Sequence, residues 1–383
     1  MTRPRVLIVG LGDTGILTGI GLARFADVTG ITAKPGLVSG QELGMRLARP
    51  QEWMRDHRIA YDRFRGLDRM RIVHGSAVAI DTSARTVRVH HPDGSTDDEP
   101  YELLVIATGV TNGFWRHPTV QSDAEVDADL AAAHQRVADA GTVAVIGGGA
   151  AAMSCAAQVS ERWPAKDVHL YFPGERALPE HHSRVWRRIE ARLTGLGVTL
   201  HPGHRAIPPP GDEARQLTSG PVGWSTGQPP TAADVVVWAI GRVRPNTAWV
   251  PPDILDDRGF VRVLPTLRVE GHDDIFAVGD VAATDRLRTS ARNQGHKLLV
   301  RNIRSAMAGS PLRAYRPPRR RWGSVLGVQH DGLLVFAPNG RGFRFPRWTI
   351  GSLQRYIVRR GIYGGVRTAP KRSGSGERTA SSA

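Results

Sequence analysis

The chain has 383 residues, 40% hydrophobic and 23% charged, with a formal net charge of +15 and one cysteine, Cys155. Such a length supports two or three domains and a core large enough for an enzyme. A single cysteine excludes an internal disulfide and therefore dithiol redox catalysis within one chain. The charge is uneven: residues 306–383 hold 15 Arg or Lys against Asp331 and Glu377, while the remainder is close to neutral. No segment reads as a targeting signal, so a cytoplasmic protein is expected.

The first element is Arg5 to Gly15, RVLIVGLGDTG. Its apolar run reads as a buried parallel strand. Gly10, Gly12 and Gly15 then give the G-x-G-x-x-G spacing that turns the chain tightly, brings backbone N–H groups up to a pyrophosphate and starts a helix. Ile16, Leu17, Ile20 and Phe25 give that helix an apolar side. Val28 to Ile31 is predicted as the second strand. A Rossmann site presents an Asp or Glu at its end to a ribose hydroxyl. Here the end is Thr32-Ala33-Lys34, which leaves Thr32 as an uncharged candidate for the contact, and Asp13 stands inside the loop that a pyrophosphate approaches.

Pro35 to Gly66 reads as a polar, partly helical connection. Arg71 to Ile80 and Thr86 to His90, with a turn at Pro92-Asp93-Gly94, form a predicted meander. Glu102 to Gly109 is another buried strand, ending in the small residues Ala107-Thr108-Gly109. Gly141 to Ala152 repeats the opening pattern, with Gly147, Gly149 and Ala152 at the cradle spacing, 137 residues after the first. Two cradles, each after an apolar strand, argue far more strongly than one. The uncharged window from Thr142 to Val159 is therefore strand, turn and helix rather than a membrane span. A strand at Val168 to Phe172, a helix at His181 to Leu196, a short strand at Val198 to His201 and a Pro- and Gly-rich hairpin region at Ile207 to Pro230 follow. Asp234 to Gly241 and Asp274 to Val281 are further buried strands. Asp280, directly after Gly279, can accept a hydrogen bond from a ribityl hydroxyl or cap a helix through Thr289 to Ile303. Beyond Pro311 come Arg319-Arg320-Arg321, two hairpins, a helix near Ile350 to Arg360 and a tail from Thr368 whose composition predicts disorder.

In this order, GLGDTG, ATG, GGGAAA, AIG and FAVGD resemble the two-dinucleotide-binding-domain flavoprotein oxidoreductases, the glutathione-reductase-like superfamily. Within it the chain resembles the type II NADH dehydrogenases and the ferroptosis-suppressor (apoptosis-inducing-factor-like) quinone reductases, through Leu267 to Asp280, Gln294-Gly295, Asn302-Ile303 and Leu312 to Pro317. The resemblance implies an α/β fold with two Rossmann-like domains and a small basic C-terminal region. The FAD-binding domain would comprise 1–118 and 255–317, the NAD(P)-binding domain 119–254, the basic region 318–366 and the disordered tail 367–383. FAD is implied around Gly10, Gly12, Gly15, Val78, Thr108, Gly109, Gly279 and Asp280. NADH or NADPH is implied around Gly147, Gly149, Ala152 and Gly241, and Gln294 is the candidate on the quinone side. Such enzymes pass a hydride from nicotinamide to flavin and electrons on to a quinone, so no protein nucleophile is needed. Cys155 is then a buried helix residue. Two positions depart from the family. Ser154 stands where many relatives carry a Glu, and Phe172 stands where a Glu selects NADH. Without that acid Arg176 can bind a 2′-phosphate, and NADPH is expected to serve at least as well as NADH.

Ile350, Leu353 and Ile357 recur at helical spacing, with Arg355, Arg359 and Arg360 largely off that face. The pattern fits a basic amphipathic helix on an anionic membrane surface, where quinones reside, and also a helix docked on the core with a solvated Arg face. The partners implied are a quinone or other small electron acceptor and the inner face of a membrane, with a homodimer open. Two other readings stand beside this one. A soluble reductase could serve an acidic ferredoxin docked on the Arg-rich end. A flavoprotein or scaffold without activity could bind nucleic acid through its basic tail, although regular aromatic and basic interleaving is missing there. His201 and His204 flank Pro202 and Gly203 with no nearby cysteine, so no metal site is expected.

Overall fold

The computed structural model describes residues 3–111, 118–211, 213–241, 243–282, 284, 295–316 and 322–368. Its first sheet is wholly parallel, in the spatial order Ile275–Ala277, Leu103–Ile106, Arg5–Val9, Asp27–Thr32 and Met70–His74. Val6 to Val9 are buried, with side chains shared between two core clusters on opposite faces. A strand covered on both faces needs an unbroken apolar run, which is what the sequence supplies. Helix α1 (Asp13–Leu22) follows the central strand directly. A Cβ on Gly15 would lie 1.9 Å from the Gly10 carbonyl oxygen, so only glycine permits this approach.

The stretch expected as a polar connection is more ordered than its composition suggests. Gly36–Val38 pairs with Arg58–Ala60, and between them lie α2 (Leu43–Ala48) and α3 (Pro50–His57). Trp53 is the reason: its ring is fully buried, its indole N–H donates to the Gln41 carbonyl at 2.8 Å, and the Arg46 guanidinium stands 5.0 Å from its centroid. The expected meander is present in part: Ser76–Asp81 pairs with Thr86–His90, which also pairs with Thr96–Pro100, whereas Met70–His74, expected as one strand with the residues up to Ile80, belongs to the parallel sheet.

Helix α4 (Asp123–Asp139) starts on a reciprocal capping box between Ser122 and Glu125 and leads to the second sheet. That sheet has the order Thr199–His201, Asp167–Tyr171, Thr142–Ile146, Thr231–Trp238 and Thr218–Val222, with only the last pairing antiparallel. Helices α5 (Ala150–Arg162) and α6 (Ser183–Gly195) cover one face. The chain crosses between the sheets at Val110–Thr111, which pairs with Arg244–Pro245. Asn246 locks the crossing: its N–H donates to the Gly109 carbonyl at 3.1 Å and its Nδ2 to the Thr108 carbonyl at 3.0 Å, while its Oδ1 accepts from Thr111 at 2.7 Å.

Helix α7 (Gly295–Met307) lies against α1, and the part of this helix expected from Thr289 to Gln294 falls outside the described residues. The C-terminal region contains the two expected hairpins, as a sheet of Gly323–Gln329, Gly332–Phe336 and Gly342–Pro346. Helix α8 (Arg347–Leu353) follows and continues as a π-helical segment, Gln354–Ile362. Ile350, Leu353 and Val358 turn inward. Ile350 packs with Met45, Trp53, Val126 and Val328, and Val358 packs against the cluster that holds Phe64 and Tyr363. Of the two environments that the pattern allowed, the described residues occupy the docked one. Arg359 pairs with Asp56 at 2.7 Å. On the other side Gln158 of α5 donates to the carbonyls of Leu326 and Val328 at 3.0 and 2.7 Å. The basic C-terminal region thus binds both halves. No helix among the described residues is long and apolar enough to cross a membrane, and the tail from residue 369 lies outside them.

Candidate functional site

At the first cradle the geometry follows from the glycines. Gly10 has φ +102°, and a Cβ there would stand 2.5 Å from the Ala107 carbonyl oxygen. Gly12 caps α1 without any side-chain hydrogen bond and has open space where a Cβ would be. The N–H groups of the first turn therefore face a cleft with the positive end of the helix behind them. Thr108, Gly109, Gly279 and Asp280 line the same cleft, and the buried Thr108 Oγ1 has no hydrogen-bond partner among the described residues. An open helix terminus and an orphaned hydroxyl fit the pyrophosphate and polyol of FAD.

Asp13, which stood in the way of this reading, turns its carboxylate aside. It is 8% exposed and accepts hydrogen bonds from Ser39 Oγ at 2.9 Å, the Gly40 N–H at 3.2 Å and Tyr363 Oη at 2.9 Å. A negative charge in the first turn is also favoured by the helix dipole. Tyr363 gave no signal in the sequence, because the contact spans 350 residues.

Other expected residues sit differently. Thr32 is 5% exposed, and its hydroxyl is shared with Tyr61 Oη at 3.0 Å and the Lys34 carbonyl at 3.2 Å. That hydroxyl already has partners within the protein, and both Thr32 and Lys34, two residues on, line the cleft. Val78 occupies an irregularity in the meander, is 47% exposed and is not among the residues lining the cleft. Gln294 lies outside the described residues. Lys34, Arg46, Gln121, Asp129 and Asn246 also line the cleft. They come from four separate stretches with no local motif, except that Lys34 follows a strand end where a ribose contact is due.

A second cavity of about 210 Å³ lies between this cleft and the C-terminal region. Along residues 36–41 the side chains alternate: Gly36, Val38 and Gly40 border the cleft, whereas Leu37, Ser39 and Gln41 border the cavity. One extended segment is therefore the wall between the two spaces.

The second cradle repeats the first. Gly147 has φ +145°, and a Cβ there would lie 2.1 Å from the Ala239 carbonyl oxygen. Gly149 caps α5, again with open space and no side-chain cap, Ala152 is fully buried facing Gly147, and Gly241 has φ +71°. Phe172 is buried edge-on to Trp186 at 5.4 Å. Arg176 bends back, donating to the Pro179 carbonyl at 3.2 Å. Ser154 is buried where α2 and α5 come closest, since a Cβ on Gly44 would lie 2.3 Å from its carbonyl oxygen. Cys155 is fully buried, and burial pushes its thiol up to about 12, so it supplies no thiolate at neutral pH. No cluster of three or more His, Cys, Asp or Glu able to hold a metal is present among the described residues.

Comparison with known proteins agrees with this architecture. The family model described as pyridine nucleotide-disulphide oxidoreductase matches residues 4–300. Ferroptosis suppressor protein 1 from Xenopus tropicalis is 24% identical, over 82% of this chain and 83% of its own length. The type II NADH:quinone oxidoreductase Ndh of Mycobacterium tuberculosis is 24% identical, over 63% of this chain and 59% of its own. Among solved structures, NDH2 from Plasmodium falciparum in complex with NADH superposes with a TM-score of 0.70 at 11% identity, covering 92% of this chain and 94% of that one. The water-forming NADH oxidase of Lactobacillus brevis bound to NADH gives 0.65 at 21% identity, covering 87% and 75%. With two glycine cradles in the expected order and a family match across most of its length, the chain belongs to the pyridine nucleotide-disulphide oxidoreductases, as an NAD(P)H-dependent flavoprotein enzyme that uses FAD.

Proposed function

We propose that the protein is an FAD-dependent NAD(P)H:quinone oxidoreductase working at a membrane surface. In this reading residues 1–118 and 255–317 hold FAD, through Gly10, Gly12, Gly15, Thr108, Gly109, Gly279 and Asp280. Residues 119–254 hold NADH or NADPH, through Gly147, Gly149, Ala152 and Gly241. Bound FAD supplies hydride acceptance and two-electron storage, and the chain supplies binding, orientation and exclusion of water. One observation carries the assignment: two unblocked, glycine-capped helix termini, one on a parallel and one on a mainly parallel sheet, in a chain whose only thiol is buried and neutral. Electrons must then leave for a diffusible acceptor and not for a protein disulfide.

The 210 Å³ cavity suits such an acceptor, with Leu37, Val328 and Leu333 as apolar walls and Gln41, His57 and Tyr363 as polar contacts. The two relatives bearing ferroptosis-suppressor and NADH:quinone names support a quinone. Membrane contact is assigned to exposed rings of the C-terminal region, since the core takes Ile350. Trp348 is 84% exposed; Trp322, Phe343 and Tyr356 are exposed too, beside Arg344 and Arg355. Aromatic rings among arginines suit an anionic interface. With Phe172 in place of an acid, NADPH is accepted at least as well as NADH, once Arg176 leaves its loop carbonyl.

The purified protein should be yellow and oxidise NADPH and NADH with a short-chain quinone. A colourless protein without oxidation refutes the enzyme reading, and reduction of ferredoxin without quinone replaces the acceptor. Trp348→Ala combined with Trp322→Ala should lower flotation with anionic liposomes; unchanged flotation removes the membrane face.

A further inference from the structure

The strand ending at Thr32 offers no carboxylate, and at this end the cleft is lined by Lys34, with Arg46, Gln121 and Asp129 nearby. Lys34 Nζ donates to the Thr119 carbonyl at 2.7 Å and to Gln121 Oε1. Gln121 is itself fixed, with its N–H on the Ala33 carbonyl at 2.9 Å and its Nε2 on Asp129 Oδ2 at 2.5 Å. An ammonium has three N–H donors. Among the described residues two are held by the segment that leads into α4, and the third is left to the cleft. We propose that Lys34 binds the adenosine ribose of FAD, donating to a ribose oxygen where Rossmann folds usually place an acceptor carboxylate, with Asp129 as the neighbouring acceptor for a hydroxyl proton.

This rests on FAD occupying the first cleft. A ribose hydroxyl both donates and accepts, so the polarity of the contact can be reversed without changing the ligand. What changes is the chemistry of release. Burial lowers the Lys34 ammonium to about 8, against the opposing attraction of Asp129 and Glu125 on α4, and Arg46 on α2 lowers it further. A ligand oxygen accepting from the ammonium raises that value. FAD affinity is therefore level below about pH 8 and falls as the pH rises through the free-protein value.

The test uses the full-length apoprotein and flavin fluorescence quenching. Lys34→Met should weaken FAD binding at pH 7 by about tenfold or more, the scale of a charge-assisted hydrogen bond, while far-UV circular dichroism and NADPH affinity stay unchanged. Lys34→Gln should lose the decline above pH 8. The inference is overturned if Lys34→Met binds FAD within twofold of wild type, if FAD and NADPH affinities fall together, or if the alkaline decline survives in Lys34→Gln. Failure of the wild-type chain to bind FAD overturns the functional reading along with it, and is told apart because the variants are then irrelevant to the result.

Discussion

Replacing Gly147 by alanine tests whether the second cradle is the nicotinamide site. The added Cβ would stand 2.1 Å from the Ala239 carbonyl oxygen, a backbone atom, and real Cβ contacts essentially never fall under 3.0 Å. The turn must therefore retreat by about 0.9 Å, from a φ of +145° that alanine does not favour. Strain of this kind costs about 1–3 kcal/mol. A displacement near 1 Å in a binding turn can cost about 100-fold in rate when geometry controls the reaction. Gly147→Ala should hence keep its FAD and its yellow colour, yet reduce that FAD with NADPH about 100-fold more slowly in an anaerobic stopped-flow experiment. Reduction within threefold of wild type would refute the assignment, and loss of FAD would show that the two cradles are not independent.

Gly10→Ala should do the reverse, because its Cβ meets the Ala107 carbonyl oxygen at 2.5 Å: the protein should purify colourless, and a full flavin complement would count against the first cleft. Cys155→Ala should keep turnover within about twofold, and the native wild-type thiol should resist alkylation, as its burial requires; abolished turnover would reopen thiol chemistry. Tyr363→Phe removes one hydrogen bond from the Asp13 carboxylate, a loss of about 1.5–3 kcal/mol for a bond to a charged group. Its urea midpoint should fall, with weaker FAD binding following, and an unchanged midpoint would mean that the contact contributes little.

Both cradles were legible because their demands are local. A strand buried on both faces, a turn with positive φ and a helix start all fall within about ten residues, and only glycine meets the close approaches. The region from Pro35 to Gly66 was harder, since its order depends on one tryptophan filling a space built by α4 and the C-terminal region. The apolar stripe of Ile350 and Leu353 could not declare its partner, because a membrane and a protein core ask for the same spacing. Lys34 was visible as the wrong residue at a strand end. That it reaches the cleft depends on Thr119 and Gln121, more than 80 residues away.

The hydrogen bond between Tyr363 and Asp13 bears on how the protein is made. The strand and glycines of the first cleft leave the ribosome long before the residues that complete it: the cleft's own sheet waits for Ile275–Ala277, and its flank waits for Tyr363. Contacts of such long sequence separation form late. The nascent chain therefore carries an unfinished first cleft until Tyr363 has emerged, and a ligand of that cleft can act as a folding partner only after that point. Cells short of riboflavin should accumulate this protein in a protease-sensitive form whose second sheet, complete by Trp238, is already folded.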